Sequence, residues 1–236
     1  NLGDAREVQA LAAAEILKLL KDNPKDVRLR LDLAGCYGSI AEGAVLSGDI
    51  PNAESMSAGA IKLLEEIVRE QPDNAEAISR LAGQIGVRAG LMRDKGEAEA
   101  ALKSFDDGIR MLEAVKASAQ DKAMTNYRLA LLWWQKGRML GMGGKRVEEI
   151  ELIRRARSSL IQLETEKNPS GPPVEKIQSS SGYLLGDLGH SLQLAGSKDE
   201  AKQAFGESVG YWERLLKSRP KSEEYQVSLA WCRQRL

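Results

Sequence analysis

One phrase recurs through this chain at a nearly fixed interval, and that recurrence limits the fold more than any other feature. Pro24 is followed nine and ten residues later by Leu33-Ala34, and Pro72 by Leu81-Ala82, 48 residues on. Aligned on the same position, Gln120, Pro172 and Pro220 lead to Leu129-Ala130, Ser181-Gly182 and Leu229-Ala230. A glycine marks the midpoint of each interval: Gly48, Gly96, Gly144 and Gly196. Twelve residues past each glycine stands a small side chain (Ala60, Gly108, Ala156, Ser208), and sixteen past it a bulky one (Leu64, Leu112, Leu160, Trp212). The interval is 48 residues three times and 52 once, between Gln120 and Pro172, with the four extra residues in "NPSGPP", Asn168 to Pro173. Self-similarity at such a period is the mark of a stacked array of supersecondary units.

Between these marks the pattern is helical. Segments such as "AESMSAGAIKLLEEIVRE" carry apolar residues three and four apart. Asp73 with Glu76, and Ser197 with Glu200, read as capping boxes, and Pro51 falls in a first turn, where a missing N–H costs nothing. The count is ten helices. A helices run from the Pro to the Gly and B helices from the Gly to the next Pro, forming antiparallel hairpins. The small residues are expected at each crossing, Ala34 facing Ala60, Ala82 facing Gly108 and Ala130 facing Ala156. Small side chains there let helix axes approach to about 8 Å.

These offsets resemble the tetratricopeptide family, with a small residue early in helix A, an Ala in helix B, a bulky residue four positions on and a Pro eight further. Ala82, Ala60, Leu64 and Pro72 sit at those offsets, and the match runs the length of the chain. The departure is the period, 48 residues here against about 34 in the family. The excess of 14 looks like seven residues added to each helix. Seven residues are nearly two turns, so the buried stripe drifts by only about 20°. The resemblance implies an all-α, right-handed α-solenoid of antiparallel helix hairpins, read as one array over 1–236. Residues 1–24 are a half repeat with helix B alone. Four full repeats follow at 25–72, 73–120, 121–168 and 169–220, and 221–236 is a terminal helix A. A B helix without its A at the start implies a fragment of a longer chain. Arrays with "LA" phrases and Gly-punctuated hairpins are also similar to those following the kinase domain in some bacterial serine/threonine kinases, although this sequence holds no H-R-D, D-F-G or phosphate loop of its own.

Little else carries chemistry. Basic and acidic residues number 34 each, so the basic excess a nucleic-acid binder needs is missing. No apolar run of about 18 residues offers a membrane span. "GMGGKR" (141–146) fails the phosphate-loop spacing, with Met139 where a Gly is required and Arg146 in place of Ser/Thr, and reads as a turn. His190 is the sole histidine and forms no triad or metal set, so no catalytic, cofactor-binding or metal-ligating residue is assigned. Cys36 and Cys232 read as packed small hydrophobes, and a reducing compartment such as the cytoplasm is the plain reading. The cluster Lys136, Arg138, Lys145, Arg146, Arg154, Arg155 and Arg157 reads as a solvated face.

What remains is the inner face. The resemblance implies that A helices line the concave groove, so positions counted from each small residue point inward. Asp32, Arg80, Arg128, Trp134, Gln135, Tyr183, Asp187 and Trp231 are the candidate partner-binding residues. The aromatics among them either anchor a partner or belong to the core. The groove glycines (Gly35, Gly38, Gly83, Gly86, Gly186) serve either close approach of a ligand backbone or tight helix contact. The Lys/Asn clamp of some family members is not visible at matching positions. The expected function is a non-catalytic protein–protein interaction module taking a protein or peptide. The alternative is a regulatory or sensory C-terminal region of a bacterial serine/threonine kinase.

Overall fold

The computed structural model describes residues 2–119, 121–166 and 171–236, with side chains from residue 7 onward. The landmarks Gln120 and Asn168, and the first half of the "NPSGPP" segment, lie outside the described residues. Among the described residues there are ten helices and no strand. The B helices are α1 (Leu2–Asp22), α3 (Ile50–Glu70), α5 (Ala98–Val115), α7 (Arg146–Glu166) and α9 (Lys198–Ser218). The A helices are α2 (Val27–Leu46), α4 (Ala75–Asp94), α6 (Lys122–Met142), α8 (Val174–Leu194) and α10 (Glu223–Arg233). The chain is an all-α, tetratricopeptide-like helical repeat. It divides into two compact units, Asn1–Gln120 and Asp121–Leu236.

Each A-to-B turn is closed by backbone chemistry. Gly48, Gly96, Gly144 and Gly196 have φ of 74°, 82°, 81° and 83°, a left-handed conformation that only glycine adopts without penalty. After α2 the Gly48 N–H bonds the Val45 carbonyl (3.1 Å) and the Asp49 N–H reaches back to Ala44 (2.9 Å). That pair of bonds satisfies the last carbonyls of the helix, and the same pair recurs at the other three turns. A side chain at any of the four would meet nothing within 4 Å. The requirement is therefore for the dihedral and not for space. "GMGGKR" is one of these turns, joining α6 to α7.

The helix starts differ from the sequence expectation. The cap of α4 is Asn74, whose side chain accepts from the Ala77 N–H (2.9 Å), one residue after the Asp73 of the proposed box. Glu76 pairs with Arg80 instead (2.6 Å). Ser197 does cap α9 but makes no side-chain capping bond, and Glu200 reaches across to Arg154 of α7. In both cases a nearby arginine outcompetes a backbone N–H for the carboxylate. Pro51 lies in the first turn of α3, as its missing N–H requires.

Packing follows the repeat register. α2 with α3 and α4 with α5 form hairpins in the first unit, as do α6 with α7 and α8 with α9 in the second. α1 packs on α2, α3 on α4, α7 on α8 and α9 on α10. The A helices also touch one another, α2 with α4 and α6 with α8. An inner A helix thus meets its B helices and a second A helix, whereas a B helix meets A helices alone within its unit. α2 buries ten residues, from Arg30 to Ala44, whereas α3 buries a single stripe of six. Ala34, Ala60, Ala82, Gly108, Ala130, Ala156, Gly182 and Ser208 are all buried at the crossings, and the bulky Leu64, Leu112, Leu160 and Trp212 are at most 1% exposed. Burying each of these leucines is worth about 1.5–3 kcal/mol. Ala230 departs from the set. It is exposed, because α10 turns Tyr225 and Cys232, and not Ala230, toward the core it shares with α9.

Candidate functional site

The A-helix face is built differently in the two units. In the first, Asp32 is half-buried and accepts from Arg28 of its own helix (3.3 Å). Arg80 donates Nη1 to the Leu31 carbonyl of α2 (2.8 Å) and Nη2 to Glu76. It does so because Gly35 leaves room: a Cβ there would stand 3.2 Å from Arg80 Nη1. Gln84 lies in the same way over Gly38. Of the two readings of the groove glycines, these two serve helix contact, and the approaching group is a side chain of the next A helix. Arg80 is therefore committed to the scaffold.

In the second unit the neighbouring A helices meet through aromatic and polar side chains. Tyr127 of α6 and Ser180 of α8 share a hydrogen bond (2.8 Å). Trp134 donates its indole N–H to Asp187 Oδ2 (2.9 Å), and Arg138 Nε stands 3.2 Å from the same oxygen. Tyr183 of α8 donates to Glu224 of α10 (2.7 Å), and Tyr225 donates back to Glu175 (2.9 Å). Arg128 and Gln135 are half-buried on α6. The structure thus brings Trp134, Tyr183, Asp187 and Trp231 together on one face of the second unit, while Asp32 and Arg80 belong to the first.

Between α8 and α10 that face opens into a cavity of about 230 Å³, lined by Gly182, Tyr183, Gly186, Asp187, Trp212, Val227, Ser228, Trp231 and Cys232. Its floor is fixed. Trp212 donates to Ser208 Oγ (3.0 Å), Ser208 donates to the Gly182 carbonyl (2.7 Å), and Cys232 Sγ lies 3.2 Å from the same hydroxyl. Its walls are rings: Tyr183 packs edge-on against Trp212 with centroids 4.7 Å apart, and Trp231 against Phe205 at 5.7 Å. The Arg235 guanidinium lies over the Trp231 ring, 3.9 Å from its centre. Tyr183 and Val227 are exposed, at 37% and 68%.

Burial dominates the titrations here. It pushes the Asp187 carboxyl above the ordinary carboxylate range, although Arg138 and the Trp134 N–H pull the other way. It raises the Cys232 thiol, which keeps that sulfur protonated and unreactive. Tyr183 is pushed up to about 12, first by burial and then by its bond to Glu224.

The inward positions Tyr183, Gly186, Asp187, Ser228 and Trp231 were legible from register. Trp212, Val227 and Arg138 were not. One signal existed for Trp212: only in that repeat does a Gly at the small position (Gly182) face a Trp at the bulky one. The basic cluster is not a free cationic face. Arg146 pairs with Glu149, Arg154 with Glu200, Arg157 with Glu207 and Arg138 with Asp187, and Arg155 lies over the Trp133 ring. His190 is exposed, and both cysteines are free and buried. Among the described residues no group of three or more His, Cys, Asp or Glu is placed to hold a metal, and no helix is long and apolar enough to cross a membrane.

No family model and no curated protein matches the sequence. Solved structures do resemble it. BtubC (BKLC) from P. vanneervenii aligns with a TM-score of 0.60 over 100% of this chain and 91% of its own, at 13% identity. MamA aligns at 0.49 over 92% of this chain and 98% of its own, at 18% identity. TTC0263, a thermophilic TPR protein in Thermus thermophilus, aligns at 0.42 over 98% of each chain, at 17% identity. At 13% identity the likeness to BtubC is one of fold.

Proposed function

We propose that this chain is a non-catalytic protein-interaction module that takes an extended peptide across the A-helix face of its second unit. One observation carries the reading. The cavity between α8 and α10 combines rigid aromatic walls, a buried floor and a carboxylate at its edge. Hot spots of protein interfaces have that composition: large rings in a pocket that a partner desolvates, with a few polar groups fixing orientation. A nucleophile would need to give up its proton readily, whereas the tyrosines and the thiol here hold theirs more tightly than usual.

The test is selection of dodecapeptides from a random phage-displayed library on the purified chain, followed by anisotropy titration of the selected peptides. Tyr183→Ala combined with Val227→Lys is expected to weaken binding about tenfold or more. Ser39→Lys, an exposed change on the A helix α2 of the first unit, is expected to leave it unchanged. Failure to select any peptide, or equal affinity for the double variant, overturns the reading.

A further inference from the structure

We infer that the cavity between α8 and α10 is a receptor for a basic side chain of the partner, an arginine in preference to a lysine. The inference rests on the peptide-binding reading above and adds the chemistry of the residue that is read.

Three features point to a cation. The first is Asp187. Trp134 Nε1 and Arg138 Nε both address its Oδ2, and its side chain lines the cavity one-third exposed, so an incoming cation can reach it. A carboxylate that is both reachable and framed by aromatic rings receives a guanidinium or ammonium with charge assistance. The direction of the Asp187 titration agrees, since its present partners do not offset its desolvation.

The second feature is the lining. Tyr183, Trp212 and Trp231 surround the cavity, and aromatic faces attract cations through their quadrupoles. Trp231 already shows this with the molecule's own guanidinium: Arg235 lies over its ring at 3.9 Å. Planar guanidinium stacks on such rings better than compact ammonium does, which sets the preference for arginine.

The third is the mouth. Glu224, exposed in the first turn of α10, accepts from Tyr183 (2.7 Å). That carboxylate therefore lies beside a ring of the cavity wall, on the face by which a peptide enters. The two cations nearby are displaceable competitors and not barriers. The Arg138 side chain is 46% exposed, and Arg235 is held by a bond to the Trp231 carbonyl (2.9 Å) and by the Trp231 ring that an incoming guanidinium would share.

The experiment uses the dodecapeptides selected on the intact chain. Their sequences are expected to share an Arg or Lys at one recurrent position. Replacing that residue by citrulline, which keeps the shape and removes the charge, is expected to weaken binding about tenfold. The same replacement should matter little to Asp187→Asn, which no longer offers the charge. Val227→Glu and Val227→Lys, at an exposed position that leaves the core intact, should strengthen and weaken binding of the basic peptides by a few-fold each. Peptides that bind without a recurrent basic residue, a citrulline loss undiminished in Asp187→Asn, or Val227 variants that shift affinity in the same direction would each overturn the inference while leaving the peptide-binding reading in place. No peptide selected at all would remove both.

Discussion

The two units are built from the same repeat, yet their A-helix faces end in opposite conditions. In the first, glycines on α2 admit long, flexible, polar side chains from α4. Arg80 drops onto a backbone carbonyl and Gln84 onto Gly38, and the seam between the helices is filled. In the second, the glycines on α8 admit flat rings. A Cβ on Gly182 would stand 2.6 Å from the Trp212 ring, and one on Gly186 3.2 Å from Trp231. Rigid rings cannot fold into a gap, so they line one instead. The difference teaches that repeat register fixes where a helix sits, while the stiffness of the residue opposite each glycine decides whether the seam is closed or open.

The largest effect that would break this comparison comes from removing the bulky residue at equivalent positions. Trp212→Ala in the second unit is expected to cost about 4 kcal/mol, near the middle of the range for a buried Trp. Leu64→Ala in the first, equally buried, is expected to cost about 3 kcal/mol. Urea unfolding of each variant measures both. A Trp212 loss well below the Leu64 loss would mean that the cavity already leaves its ring poorly packed, and the fixed floor argued above would be wrong.

Glycine substitutions sharpen the comparison further. Gly182→Ala gains helix propensity but drives a methyl into a ring held by Ser208, for a net destabilisation of about 2 kcal/mol. Gly35→Ala meets only the end of the Arg80 side chain, 3.2 Å away, which swings aside, so its expected change is under about 1 kcal/mol in either direction. Gly210→Ala is the internal control: it lies in the second unit but meets nothing within 4 Å, and it should stabilise by about 0.5–1 kcal/mol. Thermal unfolding of the three variants separates the effect of the opposing residue from that of the unit.

Alkaline titration probes the second unit alone. Tyr183 and Tyr225 donate to carboxylates and are both pushed to about 12, by burial first and then by those acceptors. A tyrosine raised in the folded state contributes stability that is complete below its unfolded value of about 10, and this is lost as pH climbs through the folded value. The chain should therefore lose stability between about pH 10 and pH 12, and Tyr183→Phe with Tyr225→Phe should flatten that loss. An unchanged slope in the double variant would show that the α8–α10 ladder is not what fails.

What the sequence made legible, and what it hid, follows from the same division. The turns were readable because a positive φ demands glycine whatever surrounds it, so Gly48, Gly96, Gly144 and Gly196 announce themselves. The crossings were readable because size is local: Ala82 and Gly108 have to be small. The caps were misread by one residue at Asn74, because Glu76 had an arginine partner that sequence alone did not rank above a backbone N–H. Side-chain pairs between successive A helices were hidden altogether. Trp134 and Asp187 are 53 residues apart, which is not the repeat period. The offset arises from the longer interval between Gln120 and Pro172 and from how far each side chain reaches along its neighbour. Register could name both residues as inward-facing but could not join them.

The smallest effect expected is the most diagnostic of purpose. Asp187→Asn keeps an oxygen for the Trp134 N–H and releases Arg138, already 46% exposed, to solvent, at a cost of under about 1 kcal/mol. Against that stands the sign of the titration. A carboxyl raised in the folded state adds stability only below its unfolded value, and that contribution disappears as pH rises through the folded value. In its ionised form Asp187 is therefore held against the pull of burial, a cost that the neutral amide lacks. Asp187→Asn should unfold at the same temperature as the parent chain at about pH 7 or slightly above it, and the difference should narrow as pH falls and the parent carboxyl takes up its proton. Residues that the fold tolerates at a cost are the ones function retains. A clear loss of stability in Asp187→Asn would instead make the Trp134–Asp187–Arg138 cluster a staple of the second unit, equivalent to Arg80 on its glycine in the first, and the contrast between the two faces would collapse.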